Sequence, residues 1–390
     1  MIDRIEIFIT ALSQRLQRIF SSGAYDTGPA DSLLGKHVLV KIHADGVTGI
    51  AQVRPISPGH FVADTAPSVF SAIKEIYGPA LIGKSIFDFE TINAMFDNRL
   101  AGNPAARSVL DIALHDAAGK ALKTPLYNLL GGCCQPRIPL EWSVSMADDV
   151  GVIIAEAERA VDEFGIKVLC LKMADRRGWR KDVENFAAVR KAVGDDVMIG
   201  IDPNTGWTLA DALSAIHAIK PMGLGYIEQP IERRDLAGMA EIRRASNGVP
   251  VMADEGVFTV QDAYALAQAQ ACDAYCIKLY KMGGLTNAKK IAAIGEAANI
   301  RVNCGGLAVQ SQLDAAASAH FYASTPAART MGAAEFTFGL NSTAKDPLCP
   351  DSDFKIKDGH VDVPRGHGLG VTIDEALLKK NTLLHEVVGK

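Results

Sequence analysis

No uncharged apolar stretch in this chain approaches the roughly 18 residues that a membrane-spanning helix needs, so no membrane partner is expected. No secretory leader is expected either: Met1 to Leu16 carries Asp3, Arg4, Glu6 and Arg15, which an apolar leader core excludes. Neither sign of charge dominates. A net charge of −5 and a pI near 6.0 give no reason to expect a nucleic-acid partner. The seven cysteines are an odd number without paired spacing, which argues against a disulfide framework. Zinc is not expected either. Cys272 and Cys276 stand across a helix-to-strand passage, Cys133-Cys134 lies in a turn, and no second Cys/His pair stands near either. The cysteines read as buried, inert thiols of a reduced, cytoplasmic protein. A glycine-rich phosphate turn is lacking where a nucleotide fold would need one. The run Gly366-His367-Gly368-Leu369-Gly370 falls at the end of the chain with no βαβ unit after it. What is present is ordinary globular composition, 48% hydrophobic and 22% charged over 390 residues. That length calls for two domains, or one barrel with additions.

Residues 1 to about 125 read as a small α+β unit. Val38–His43 alternates as a strand, turns at Ala44-Asp45-Gly46 and returns through Gly49–Val53. From Ala105 to Leu122, Val109, Leu110, Ile112, Ala113 and Ala117 recur at helical spacing on one face. From Arg137 the texture changes to short apolar runs alternating with amphipathic helices. The runs are Ile138–Val144, Val168–Met173, Val197–Ile201, Leu224–Glu228, Pro250–Ala253, Ala274–Leu279, Ile300–Cys304 and a weaker Thr330–Phe336. Runs buried on both faces and separated by helices make a parallel sheet, and seven or eight of them close into a (β/α) barrel. Beyond Phe338 the pattern breaks into Pro- and Asp-rich chain ending in a short polar tail, expected to pack back on the N-terminal unit. The division expected is a cap over 1–130, joined by 345–390, and a barrel over 131–344.

Three of the runs end in a carboxylate: Ile201-Asp202, Ile227-Glu228 and Ala253-Asp254. The intervals are equal, 26 residues each, which is the length of one βα unit. The three acids therefore belong at the same end of neighbouring strands, and in a barrel that end is the functional face. Three converging carboxylates repel one another unless a divalent cation neutralises them, and all-oxygen ligation suits magnesium, with manganese as a substitute. Lys172 ends the second run and Lys278 the sixth, strands that face each other across a closed barrel. A cation on the oxygens of a substrate carboxylate stabilises the enediolate left by loss of the alpha proton. A lysine in a desolvated, cation-rich site is expected to have its pKa lowered so that it can act as base.

These residues sit in segments that resemble the enolase superfamily, and within it the muconate-lactonising (muconate cycloisomerase) subgroup, over nearly the whole chain. They include Asn103–Asp116, Pro125–Gly132, Asp202-Pro203-Asn204, Glu228-Gln229-Pro230, Ala253-Asp254-Glu255 and Lys278–Gly284. The resemblance implies a modified (β/α)7β TIM-type barrel with an N-terminal α+β capping domain. It also implies Mg2+ on Asp202, Glu228 and Asp254, and Lys172 and Lys278 as acid and base. Relatives commonly assemble, so a homo-oligomer is expected. The seventh run, Ile300–Cys304, lacks the histidine of the mandelate-racemase subgroup.

Two departures stand out. Cys170 occupies the place where the subgroup carries a further lysine, and Cys304-Gly305-Gly306-Leu307-Ala308 has no acid where cycloisomerases commonly place one. Around the core set, Lys281 and Glu255 are candidates for tuning the site, and Asn204, on the strand face of Asp202, for holding a water or a lysine. Phe20, Tyr25, Arg54 and His60 are candidates for reading the far end of the substrate from cap loops. The expected activity is a cycloisomerase-like reaction on a small carboxylate. A racemase or epimerase of an N-modified amino acid comes next, then an acid dehydratase, and the non-enzymatic alternative is a metal-dependent binding protein.

Overall fold

The structure is a computed structural model describing residues 1–11, 17–21, 23–26, 36–54, 63–307 and 311–390, with the side chains of 24–26 outside that description. The N-terminal unit is built on a four-stranded antiparallel sheet in the order Thr382–Gly389, Ile2–Ala11, Lys36–Ala44, Val47–Val53. The hairpin read from the sequence is there, with Val40 opposite Ala51. The chain's end, read as a polar tail, is a helix (Glu375–Asn381) followed by the outer strand of this sheet. Its alternating exposure suits an edge strand, half covered and half in water.

Helix Pro104–Ala121 lies against the sheet. Proline at its first turn leaves no donor unsatisfied there. Its packing is close enough that a Cβ at Gly49 would stand 2.0 Å from the carbonyl oxygen of Ala113. The buried carboxylate of Asp116 joins the unit to the returning chain, accepting from Ile50 N and Leu369 N at 2.7 Å each and from Lys120 at 2.6 Å.

Seven parallel strands form the barrel: Glu141–Val144, Val168–Lys172, Met198–Asp202, Leu224–Glu228, Val251–Ala253, Ala274–Ile277 and Arg301–Cys304, each beside the next. The eighth run closes it. Met331 N donates to Val302 O at 2.9 Å, Glu335 N to Cys304 O at 2.8 Å and Glu141 N to Ala334 O at 2.8 Å, joining the seventh strand to the first. The first run is split: Arg137–Pro139 pairs outside the barrel with His360–Asp362, and the barrel strand begins at Glu141. Pro139 has no N–H to offer a continuous ladder. Among the described residues no helix is long and apolar enough to cross a membrane. Five of the seven cysteines are buried, but Cys133 and Cys134 are exposed, against the expectation for that pair. They follow Gly131 and Gly132, whose positive φ angles turn the chain out over the surface.

His320 is wholly buried on helix Gln312–Ala323, its Nδ1 accepting from Tyr127 N at 3.2 Å and its Nε2 meeting Leu369 O at 3.0 Å. Burial lowers its pKa from 6.5 to about 4, against the smaller opposing effect of the Leu369 carbonyl. Between those values the unfolded chain binds a proton that the native state refuses, so stability falls as pH drops through that window, by up to roughly 3 kcal/mol. His320→Gln is expected to flatten the loss measured by urea unfolding between pH 7 and pH 4.5. An unchanged pH slope would assign the acid sensitivity elsewhere.

Candidate active site

Asp202, Glu228 and Asp254 all come to one end of the barrel, at 0% exposure. Ile227 lies in register with both Ile201 and Val251, so Asp202 and Glu228 are level, and Asp254 stands two residues further along the fifth strand on the same face. Lys172 pairs in register with Asp202, and residues in register share a face, so its ammonium binds the Asp202 carboxylate directly. On the other side Lys278 donates to Asp254 Oδ2 at 2.5 Å, and Lys281 donates to Asp254 Oδ1 at 2.5 Å. Each lysine is thus held by the acid on the adjoining strand, with Glu228 between the two pairs.

Asn204 donates from its backbone to Asp202 Oδ1 and from Nδ2 to Asp202 Oδ2, both at 2.8 Å, and reaches Glu255 Oε1 at 3.2 Å. Gln229 accepts from Asp254 N at 3.0 Å and Gly256 N at 2.9 Å, tying the ends of the fourth and fifth strands together. Among the described residues three oxygens here are wholly buried without a partner: Glu228 Oε1, Asn204 Oδ1 and Glu255 Oε2. A buried acceptor left so costs roughly 1–3 kcal/mol.

The charges divide the site. Burial, reinforced by Asp202, Glu335 and Asp254, pushes the Glu228 carboxyl well above its usual range. Burial would also raise Asp254, but Lys278 and Lys281 outweigh it and hold Asp254 low. Glu255 is pushed up to about 8 by burial and by Asp254. The lysines run against expectation. Burial alone would lower them, yet Asp202 holds Lys172 above the usual ammonium range and Asp254 does the same for Lys278. Contact with a carboxylate at hydrogen-bonding distance outweighs desolvation.

Of the other expected residues, Phe20 is brought in, its ring 5.7 Å from Lys172 Nζ. Arg54 is buried beneath the surface and faces Tyr280. Tyr25 lies on strand Gly23–Asp26 with its side chain outside the described set, and His60 and Ala308 lie outside the described residues altogether. Cys170 is 3.7 Å from Glu228 Oε2.

Two acids were missed. Glu335 enters from the barrel-closing run and lies 3.9 Å from Cys276 Sγ. Burial pushes it up to about 7, while Lys278 and Lys172 pull the other way. The signal was readable, since Ala333-Ala334-Glu335 ends an apolar run in a carboxylate as the other three do. Glu141 begins the first barrel strand, is 1% exposed, and faces Tyr226, its carboxyl pushed well above the usual range by burial and by Glu335. A cleft of about 1040 Å3 opens beside the cluster, between Glu255 and Lys281 of the barrel and Pro104 and Arg107 of the cap helix.

Residues 152–377 match the family model for the enolase C-terminal domain-like fold. Residues 33–131 match that of the mandelate racemase / muconate lactonizing enzyme N-terminal domain. The chain belongs to the enolase superfamily. Within the superfamily it groups with the muconate-lactonising enzymes. It is 30% identical over 354 residues to a chloromuconate cycloisomerase of Cupriavidus necator, covering 89% of this chain and 91% of that protein. It is 30% identical over 394 residues to the N-succinyl-L-Arg/Lys racemase of Bacillus cereus, covering 99% of each. The crystal structure of that racemase matches with a TM-score of 0.89 at 29% identity, over 99% of each chain. A dipeptide epimerase from Cytophaga hutchinsonii, solved with Mg and the dipeptide D-Ala-L-Val, matches with a TM-score of 0.87 at 27% identity over 100% of each chain. These relatives are isomerases, and the chain is an enolase-superfamily isomerase with the barrel and cap of that superfamily.

Proposed function

We propose that the chain is a magnesium-dependent isomerase that removes the proton alpha to a carboxylate of a small acid and returns one to the same carbon. The observation that carries the reading is the arrangement of Lys172 and Lys278, each ion-paired to a different acid on either side of Glu228. The acids suit a divalent cation. Three buried carboxylates converge, and the middle one keeps an oxygen without any partner in the protein. Asp202, Glu228 and Asp254 would hold Mg2+, or Mn2+ in its place, with Asn204 bracing Asp202 and held in turn by Glu255. When bound, the cation supplies Lewis-acid stabilisation of the charge that develops on the substrate carboxylate.

The protein's own groups do the rest. Lys172 and Lys278 stand on opposite strands, so each addresses one face of the substrate's alpha carbon. One takes the proton in its neutral form while the other, charged, delivers to the far face. Because Asp202 and Asp254 hold both ammoniums high, any partner drawing on those carboxylate oxygens lowers the lysines toward a useful range. Phe20 covers the Lys172 side and limits water there. This two-faced transfer is racemisation or epimerisation, and an N-acylated amino acid is the substrate class favoured by the near full-length match to the N-succinyl racemase. Cycloisomerisation of a muconate-type diacid is the second reading, supported by the chloromuconate cycloisomerase relatives.

Proton NMR in D2O with Mg2+ tests both. N-acylated amino acids are expected to lose the alpha-proton signal, and EDTA to stop the loss. Lactone formation from muconate without alpha exchange in any amino-acid derivative would select the second reading.

A further inference from the structure

Two thiols lie under the three acids. The second and sixth barrel strands end alike, in Cys170-Leu171-Lys172 and Cys276-Ile277-Lys278. Residues two apart on a strand share a face, so each cysteine lies one step below a lysine and points into the barrel. Both are buried, Cys170 at 1% and Cys276 at 0% exposure. Cys170 Sγ, a carboxylate oxygen of Asp202 and one of Glu228 lie within 4.8 Å of one another, and so do ligand atoms of Glu228, Asp254 and Cys276. Glu228 belongs to both sets, and its Oε1 is wholly buried without a partner.

We propose that this isomerase carries two overlapping sulfur–oxygen sites for a thiophilic divalent cation of the zinc or cadmium class, Cys170/Asp202/Glu228 and Glu228/Asp254/Cys276, which compete with the all-oxygen site. The inference rests on the reading of Asp202, Glu228 and Asp254 as a cation site and adds the thiols to it. Hard cations such as Mg2+ take oxygen and leave thiols alone, whereas thiolate sulfur selects softer ions. Without such an ion, Cys170 Sγ lies 3.7 Å from Glu228 Oε2 and Cys276 Sγ lies 3.9 Å from Glu335 Oε1 as thiol donors. A soft cation changes that: a metal–sulfur bond forms, the S–H bond breaks and the proton leaves to solvent, with no change of oxidation state. Each mixed set omits one of the three acids, Asp254 in the first and Asp202 in the second. A cation drawn onto sulfur therefore gives up part of the all-oxygen coordination, and soft ions are expected to inhibit by displacing the hard one.

Cd2+ titration of the full chain, followed by sulfur-to-cadmium charge-transfer absorption, tests this beside Mn2+ binding followed by EPR. Cys133 and Cys134 are exposed and contribute background absorption, so the signal of interest is the part that C170S/C276S removes and that excess Mg2+ displaces. That part is expected to be present in the parent, and the double variant to bind Cd2+ at least about tenfold more weakly while binding Mn2+ as the parent does. C170A/C276A gives the same comparison should serine disturb the apolar floor, and retained Mn2+ binding reports an intact site in either variant. Mn2+ binding with no Mg2+-displaceable cadmium band overturns the thiol sites alone. A band unchanged in both double variants places the sulfur elsewhere and overturns them too. Failure of both ions to bind overturns the underlying cation site, and the thiol sites with it.

Discussion

Lys278→Ala is expected to lower kcat by roughly 10^3-fold, within the range for loss of a positioned acid or base, and Lys172→Ala by a similar factor. The two losses should differ in kind. With one lysine on each face of the alpha carbon, each variant keeps slow alpha-proton exchange for one enantiomer and loses it for the other, the complementary one in each case. Deuterium exchange measured separately on the two enantiomers reads this directly. Equal loss on both enantiomers in both variants would sink the two-faced mechanism, and full activity in either variant would remove that lysine from the chemistry. Stability separates them as well. Asp254 keeps Lys281 at 2.5 Å when Lys278 is lost. Among the described residues, Asp202 is left with the donors of Asn204 when Lys172 is lost. Breaking a buried ion pair by removing one partner costs about 3–5 kcal/mol, so in EDTA Lys172→Ala is expected to have the lower Tm of the two. Added Mg2+ should narrow that gap by neutralising Asp202.

Glu228→Gln carries the second large effect, and its two readouts should move in opposite directions. Glu228 is the middle acid of the three, and its carboxyl is held well above the usual range by burial, Asp202, Glu335 and Asp254. The uncharged amide removes a buried charge that its neighbours oppose. In EDTA the variant is therefore expected to be more stable than the parent at pH 8. The parent's penalty builds as pH rises from the ordinary carboxyl range toward the raised Glu228 pKa, because the carboxyl ionises first in the unfolded chain and the native state holds its proton. The same change deprives a cation of its central charged ligand. A ligand present at 100 times its Kd stabilises the native state by about 2.7 kcal/mol. That increment, measured as the rise in Tm on adding Mg2+, is expected in the parent and absent in Glu228→Gln, with kcat down roughly 10^3-fold or more. A variant that is less stable in EDTA yet keeps the full Mg2+ increment would place the cation elsewhere.

Most of this site was legible in the sequence because its pieces are local. A parallel strand buried on both faces must be an apolar run, and a polar residue at its end stands out. Asp202, Glu228 and Asp254 were visible for that reason, and their equal spacing placed them on neighbouring strands without coordinates. Lys172 and Lys278 followed from the same rule. Glu335 obeyed it too and was passed over, because the run before it is weak and makes only isolated bridges to its neighbours. It becomes part of the site when the barrel closes, which depends on residues far apart in the chain.

What local pattern could not contain is the balance among groups once they meet. The sequence predicted lysines with lowered pKa values from desolvation. The register of Lys172 with Asp202, and the reach of Lys278 and Lys281 to Asp254, hold the two catalytic candidates high instead. Whether Arg54 lies on a loop or under one, and whether Cys133 and Cys134 are covered, depends on how the cap and the returning chain settle. The sequence by itself determined which residues end the strands, and hence the chemistry available. Only the tertiary structure decided which of those residues touch, because Coulomb and desolvation energies depend on separations and burial that register and closure set.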